Sequence, residues 1–164
     1  MADDESFGRY VMDSYADLLR RALLLTGDRS RAEDLVQSSL AAAYARWRRI
    51  NDPGPYLRTV MARTAVSWRA RRWNGEVPTF ELSESPSERD AVADSDLSSA
   101  VRRALMTLPP EQRAVLVLRY FDDCSEAEIA ETLGCSAGTV KSRASRGLST
   151  LRATGVLAEE GQIR

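Results

Sequence analysis

Apolar residues recur at three- and four-residue spacing along most of the chain, the period of an amphipathic helix. Over about 6–26, Phe7, Tyr10, Val11, Tyr15, Leu18, Leu19, Ala22 and Leu23 predict a first helix. Gly27 is placed to terminate it and Asp28 to cap the next. Ala32, Leu35, Val36, Leu40, Ala43, Tyr44 and Trp47 predict a second helix over about 29–48, with Arg31, Asp34, Gln37 and Ser38 on its polar face. Ile50 to Pro55 cannot continue a helix, because proline removes a donor and restricts the residue before it. A third helix is predicted over about 55–72. It turns Tyr56, Leu57, Val60, Met61 and Thr64 inward and leaves Arg58, Arg63, Arg69 and Arg71 outside.

From Asn74 the pattern collapses. Gly75, Pro78, Pro86, serines and a run of acids read as a flexible acidic linker. Helical spacing returns at about 95–107 with Leu97, Val101, Ala104 and Leu105. Pro109-Pro110 opens a further helix whose residues 114–121 are apolar almost all round, as if covered by its own domain on one side and by a partner on the other. Ser125 and Glu128 form a capping-box pair, and Ile129, Ala130 and Leu133 share one face. Gly134 then stands where a helix needs a left-handed terminator, and Ser136 where the next helix needs a cap. Val140, Ala144, Leu148 and Leu151 make the inner stripe of that last helix, over about 136–152. The expected fold is all-α: helical domains at 1–73 and 95–153, a linker at 74–94, and a fraying tail at 154–164.

The last two helices read as a helix-turn-helix. The outer face of 136–152 carries Thr139, Lys141, Ser142, Ser145, Arg146 and Ser149 and no acid. Such a face suits a major groove, where hydroxyls reach phosphates or base edges and Lys or Arg pairs with guanine. An ordinary hairpin with a solvated basic face is the plainer reading, and the caps, the turn and the missing acids weigh against it.

Charge changes the picture once it is resolved along the chain. The net charge of −1 conceals eight Arg against one Asp in 46–72, seven acids against one Arg in 76–99, and four bases without an acid in 136–152. Local sign governs phosphate contact. Arginines interleaved with Trp47, Trp68 and Trp73 suggest a second surface, for nucleic acid with exposed bases, although Trp47 lies on the apolar stripe and is expected in the core. The absence of histidine excludes Ser-His, Cys-His and His-metal chemistry, and Cys124 and Cys135 are too few for a disulfide framework. They are expected to pack as small hydrophobes; no metal, cofactor or catalytic residue is assigned. No apolar run approaches a membrane span and the first residues are acidic, so a cytoplasmic protein without membrane insertion is expected.

Read in order, Ala32-Glu-Asp-Leu-Val-Gln37, Tyr44-Ala-Arg-Trp47, Pro55-Tyr-Leu-Arg58, Leu108-Pro-Pro-Glu-Gln-Arg113-Ala-Val-Leu116 and Gly138-Thr-Val-Lys-Ser-Arg143 resemble a bacterial RNA polymerase sigma factor of the extracytoplasmic-function group, similar to its actinobacterial SigE-like members. The resemblance covers about 6–153. It implies a subunit, not an enzyme, whose partners are core RNA polymerase, promoter DNA and an inhibitory anti-sigma protein. It implies that Asp34, Gln37 and Ser38 dock on the polymerase, and that the apolar helix 113–121 offers its outer face to the polymerase flap. Arg49, Asn51, Asp52, Arg63, Ser67 and Trp68 are implied at the minus-ten element, with Arg69 and Arg71 on phosphate. Ser136, Lys141, Ser142, Ser145 and Arg146 are implied at the minus-thirty-five element, with Thr139 and Arg143 on phosphates. The linker is implied to thread the polymerase cleft. Ser38-Ser39-Leu40 departs from the acid and aromatic usual in the family, and the asparagine common near Thr64 is missing. The main alternative is a stand-alone helix-turn-helix regulator, which binds an operator tightly without polymerase. A nuclease or recombinase needs a metal-carboxylate cluster or an activated nucleophile, and the acids lie mostly in the linker.

Overall fold

The computed structural model describes residues 2–73 and 96–155, and all their regular structure is helical. The front half holds α1 (Ala2–Thr26), α2 (Arg29–Ala45), a 3-10 turn (Trp47–Arg49) and α3 (Pro53–Trp73). The back half holds α4 (Asp96–Leu105), α5 (Pro110–Leu116) running into a π turn (Val117–Phe121), α6 (Glu126–Leu133) and α7 (Ala137–Ala153). The linker and the tail beyond Gly155 lie outside the described residues.

Helix α1 begins four residues earlier than its apolar stripe suggests. Its first turn carries Asp3, Asp4 and Glu5, and acids at this end are favoured by the helix dipole. Tertiary contacts fix it further: Asp4 accepts from the Tyr44 hydroxyl at 2.5 Å, Asp3 pairs with Arg48, and the Trp47 indole N–H donates to Ser6 at 2.8 Å. Gly27, at φ +83°, ends α1, and Asp28 caps α2 by accepting from the Arg31 N–H.

Helix α2 stops at Ala45, three residues short of the predicted end. The chain tightens into the 3-10 turn, which sets Trp47 edge-on to Phe7 at 5.1 Å and against Tyr10 at 5.5 Å. Trp47 is therefore half-buried on the rim of the core. Pro53 and Pro55 belong to the first turn of α3, where the missing proline N–H has no helical partner to lose. Asp52 caps that turn, accepting from the Gly54 N–H at 3.3 Å.

One hydrophobic cluster runs through both halves, from Leu18, Leu35, Leu57 and Met61 to Leu105, Val115, Leu116, Ile129 and Leu151. This corrects the expectation for helix 113–121. Every side chain from Arg113 to Leu118 is buried, because α1 and α3 of the front half pack over the face reserved for a partner. Arg119 and Tyr120 are half-buried, and Phe121, 39% exposed, stands outside. The π turn closes with Asp122 N–H to the Val117 carbonyl, followed by Asp123 in the left-handed region at φ 52°.

Arginines fasten helix ends across this core. Arg113 is 2% exposed, and its guanidinium donates to the carbonyls of Leu25, Leu105 and Leu108 at 2.8–2.9 Å. Leu25 and Leu105 lie in the last turns of α1 and α4, where acceptors lack helical partners and negative partial charge concentrates; Leu108 lies in the connection from α4 to α5, and its N–H also reaches the Leu105 carbonyl at 3.1 Å. Arg63 does the same for α6, donating to the Thr132 and Glu131 carbonyls at 2.6 and 3.2 Å.

Candidate nucleic-acid interface

The helix-turn-helix is built from its caps outward. Ser125 accepts from the Glu128 N–H and Glu128 returns a bond from the Ser125 N–H, both at 3.1 Å. Gly134, at φ 66°, terminates α6 and sends its N–H to the Ala130 carbonyl. Ser136 caps α7 by accepting from the Thr139 N–H at 3.1 Å. Ile129, Val140, Ala144 and Leu151 are buried between the helices. Gly147 is also buried and takes the place in the inner stripe expected for Leu148, which is half-buried.

The outer face of α7 therefore stands clear. Ser136, Lys141, Ser142, Ser145 and Arg146 are exposed, while Thr139 and Arg143 are half-buried. The hydroxyls of Ser136 and Thr139 lie 2.9 Å apart. Beside this face runs an open groove of about 270 Å³ lined by Arg119, Tyr120, Glu126, Lys141, Ser145, Leu148 and Arg152. Glu126 sits between two cations there, 3.3 Å from Arg119 and 3.8 Å from Lys141. The Lys141 end of this cluster is exposed, and pairs that reach into solvent contribute little to stability.

The second basic surface is less uniform than the sequence suggests. Arg49, Asn51 and Asp52 are exposed at the entrance to α3, with the Asp52 carboxylate engaged in capping. Arg63 and Ser67 are exposed on one face of α3, about 16 Å or more along the helix from that entrance. Trp68 packs partly against the core. Arg58, expected outside, is half-buried, and its Nε is enclosed without a hydrogen-bond partner. The side chains of Arg69 and Arg71 lie outside the described residues. Asp34, Gln37 and Ser38 form an exposed patch on α2, above a buried Ser39.

Sequence patterning missed Arg113, and it missed Arg21, whose guanidinium grips Asp122 with contacts of 2.7–3.1 Å. The only signal for Arg113 was a charge opening a long apolar run. Cys124 is buried as expected, and burial pushes its thiol above the usual range, with the Arg58 guanidinium opposing and Asp122 adding.

A helix-turn-helix with an acid-free outer face, joined to a second helical unit bearing arginines, defines a two-module DNA-binding protein. Residues 11–75 match the family described as Sigma-70 region 2, and residues 98–151 match Sigma-70, region 4. The chain is 41% identical over 155 residues to the RNA polymerase sigma-E factor of Streptomyces coelicolor, covering 93% of this chain and 87% of that protein. It is 33% identical over 174 aligned positions to the ECF RNA polymerase sigma factor SigL of Mycobacterium tuberculosis, covering 99% and 96%. The fold matches the sigma factor RpoE, solved in complex with the anti-sigma factor NepR from Bartonella quintana, with a TM-score of 0.69 and 25% identity over 94% of this chain and 98% of that one. The chain belongs to the sigma-70 family of RNA polymerase sigma factors, in its extracytoplasmic-function group. It acts as a sigma factor, binding core RNA polymerase and directing promoter-specific transcription initiation. The family is not a catalytic one, and no helix among the described residues is long and apolar enough to cross a membrane.

Proposed function

We propose that α7 reads the minus-thirty-five element, with Lys141, Ser142, Ser145 and Arg146 at base edges and Ser136, Thr139 and Arg143 on the sugar-phosphate backbone. Arg49, Asn51, Asp52, Arg63, Ser67 and Trp68 serve the minus-ten element, with Arg69 and Arg71 on phosphate. Asp34, Gln37 and Ser38 dock on the polymerase. The observation that carries this reading is the exposed, acid-free face of α7 behind a doubly capped turn. The chain works in the cytoplasm as a specificity subunit and does no chemistry of its own. An anti-sigma protein is its natural inhibitor, as the solved relative's complex suggests.

Each module by itself covers roughly 600–1,000 Å² of protein surface on DNA, which gives weak binding until both are held on one assembly. Run-off transcription with purified core polymerase on native promoter fragments tests the reading. Start sites that appear only when the protein is added, and that vanish for Lys141→Ala on some promoters and not others, support it. Tight operator binding without stimulation of polymerase overturns it in favour of a stand-alone regulator.

A further inference from the structure

The 3-10 turn that leads into the minus-ten surface has little of its own to hold it. Arg48 and Arg49 are exposed, Trp47 is half-buried, and no side chain caps the start of the turn. Its backbone bonds run from the Arg49 N–H to the Arg46 carbonyl at 2.8 Å and from the Ile50 N–H to the Trp47 carbonyl at 3.3 Å. Bonds of this 3-10 type have poorer geometry than those of an α-helix. Arg49, Asn51 and Asp52 follow at once in the chain, so where they point depends on where this turn sits.

Helix α1 supplies what the turn lacks. Asp3, Ser6, Phe7 and Tyr10 fall at i, i+3, i+4 and i+7, on one face of the helix. From that face the Phe7 ring stands edge-on to Tyr44 at 5.0 Å and to Trp47 at 5.1 Å, and Tyr10 meets Trp47 at 5.5 Å. The Ser6 hydroxyl accepts from the Trp47 indole N–H at 2.8 Å, Asp3 pairs with Arg48, and Asp4 accepts from the Tyr44 hydroxyl at 2.5 Å. These contacts are unequal. The Arg48 side chain is 83% exposed, so water and salt screen its pair with Asp3. Edge-on rings and a directed indole bond hold geometry better. The same stripe runs on to Leu18, Ala22 and Leu25, which are buried in the core. Phe7 lies about 16 Å along one continuous helix from Leu18, so α1 is a strut that fixes the turn relative to the core.

We propose that Ser6, Phe7, Tyr44 and Trp47 are a positioning clamp for promoter opening. They aim Arg49, Asn51 and Asp52 at the minus-ten element, and the proposal rests on the assignment of those three residues above. A base leaving the stack must be received as it emerges. A misplaced turn therefore slows opening, while the initial complex, held upstream by α7, keeps its affinity.

The test uses holoenzyme reconstituted from the full chain and core polymerase. Its probe is a promoter fragment recovered by run-off transcription, with 2-aminopurine replacing an adenine of the minus-ten element. The fluorescence rise on unstacking gives the opening rate, and its dependence on holoenzyme concentration gives the initial affinity. Phe7→Ala removes the shared ring. Ser6→Ala combined with Tyr44→Phe removes two hydrogen bonds and leaves the rings in place. Far-UV circular dichroism checks the helices, and if Phe7→Ala loses helix content the double variant decides. Both should open the promoter severalfold more slowly at unchanged initial affinity, and Arg146→Ala should show the reverse. Equal loss of rate and affinity in a fully helical double variant marks a general structural role and overturns the clamp. An unchanged rate overturns it, and so does a faster one, which would mean that the start of α1 obstructs the turn. Arg49→Ala combined with Asn51→Ala separates the two levels. If that variant opens at the wild-type rate, the minus-ten assignment fails and the clamp with it; if it opens slowly and the α1 variants do not, the clamp alone fails.

Discussion

Arg113 donates at 2.9 Å to the carbonyl of Leu25, 88 residues earlier in the chain. The same guanidinium serves Leu105 and Leu108, so one side chain ties the ends of α1 and α4 to the connection that leads into α5. Replacing it with Met leaves the Leu25 and Leu108 carbonyls desolvated and unpaired, while Leu105 keeps the Leu108 N–H, a loss of at least about 2 kcal/mol. Urea unfolding checks this. Lysine keeps the charge but not the fork, so Arg113→Lys should recover only part of the loss. Full recovery would contradict the geometric argument.

Base readout and phosphate contact separate in their sequence dependence. Lys141→Ala or Arg146→Ala should cost about 1–3 kcal/mol at one upstream base position and little elsewhere. Arg69→Ala or Arg71→Ala should weaken every promoter alike and reduce the salt slope by about one. Holoenzyme binding to a promoter library at two salt concentrations distinguishes the two patterns.

At Gly147, α7 lies close against α5. A Cβ there would stand 2.9 Å from Leu116 Cδ1, and Leu116 is itself buried in the core. Gly147→Val therefore overpacks the seat of the recognition helix and should cost about 1–3 kcal/mol. Thermal melts of the variant should show this at unchanged solvent conditions. A variant as stable as the wild type would mean that Leu116 has room to move.

Cys124 carries a signed pH prediction. Its thiol is raised in the fold by burial, so the neutral form is favoured there. That contribution is fully present below the unfolded thiol's range and is lost as pH climbs through the raised folded value. Stability should fall on the alkaline side, and Cys124→Ala should flatten the fall. In native protein at mildly alkaline pH, a thiol reagent should modify the half-buried Cys135 much faster than Cys124.

What the sequence made legible was local. Ser125, Glu128, Gly134 and Ser136 announce their caps within a few residues, because the groups that satisfy a helix end lie next to it in the chain. The end of α2 was hidden because Trp47 continues the helical period, and only its fit against Phe7 and Tyr10 favours the tighter turn. The covering of Val115 to Leu118 was hidden for a different reason. An all-round apolar helix requires a partner, and the pattern does not say whether that partner is another protein or the chain's own front half. Arg21 and Asp122, 101 residues apart, leave no periodic trace at all. The outer face of α7 was legible as a candidate surface, since burial of Val140 and Ala144 dictates which residues point away.

Of the 23 basic residues in the chain, 22 are arginine and the single lysine is Lys141, 69% exposed on the outer face of α7. Guanidinium forks suit carbonyl pairs at helix ends, which an ammonium cannot grip in the same way. The side effect is a chemical address. Amine-directed reagents, which spare arginine, have one side chain to find, and it lies on the helix proposed to meet DNA. Besides the α-amino group, acylation therefore has one target, and peptide mapping of the label at Lys141 reads the recognition helix without any engineered residue; promoter DNA should shield it.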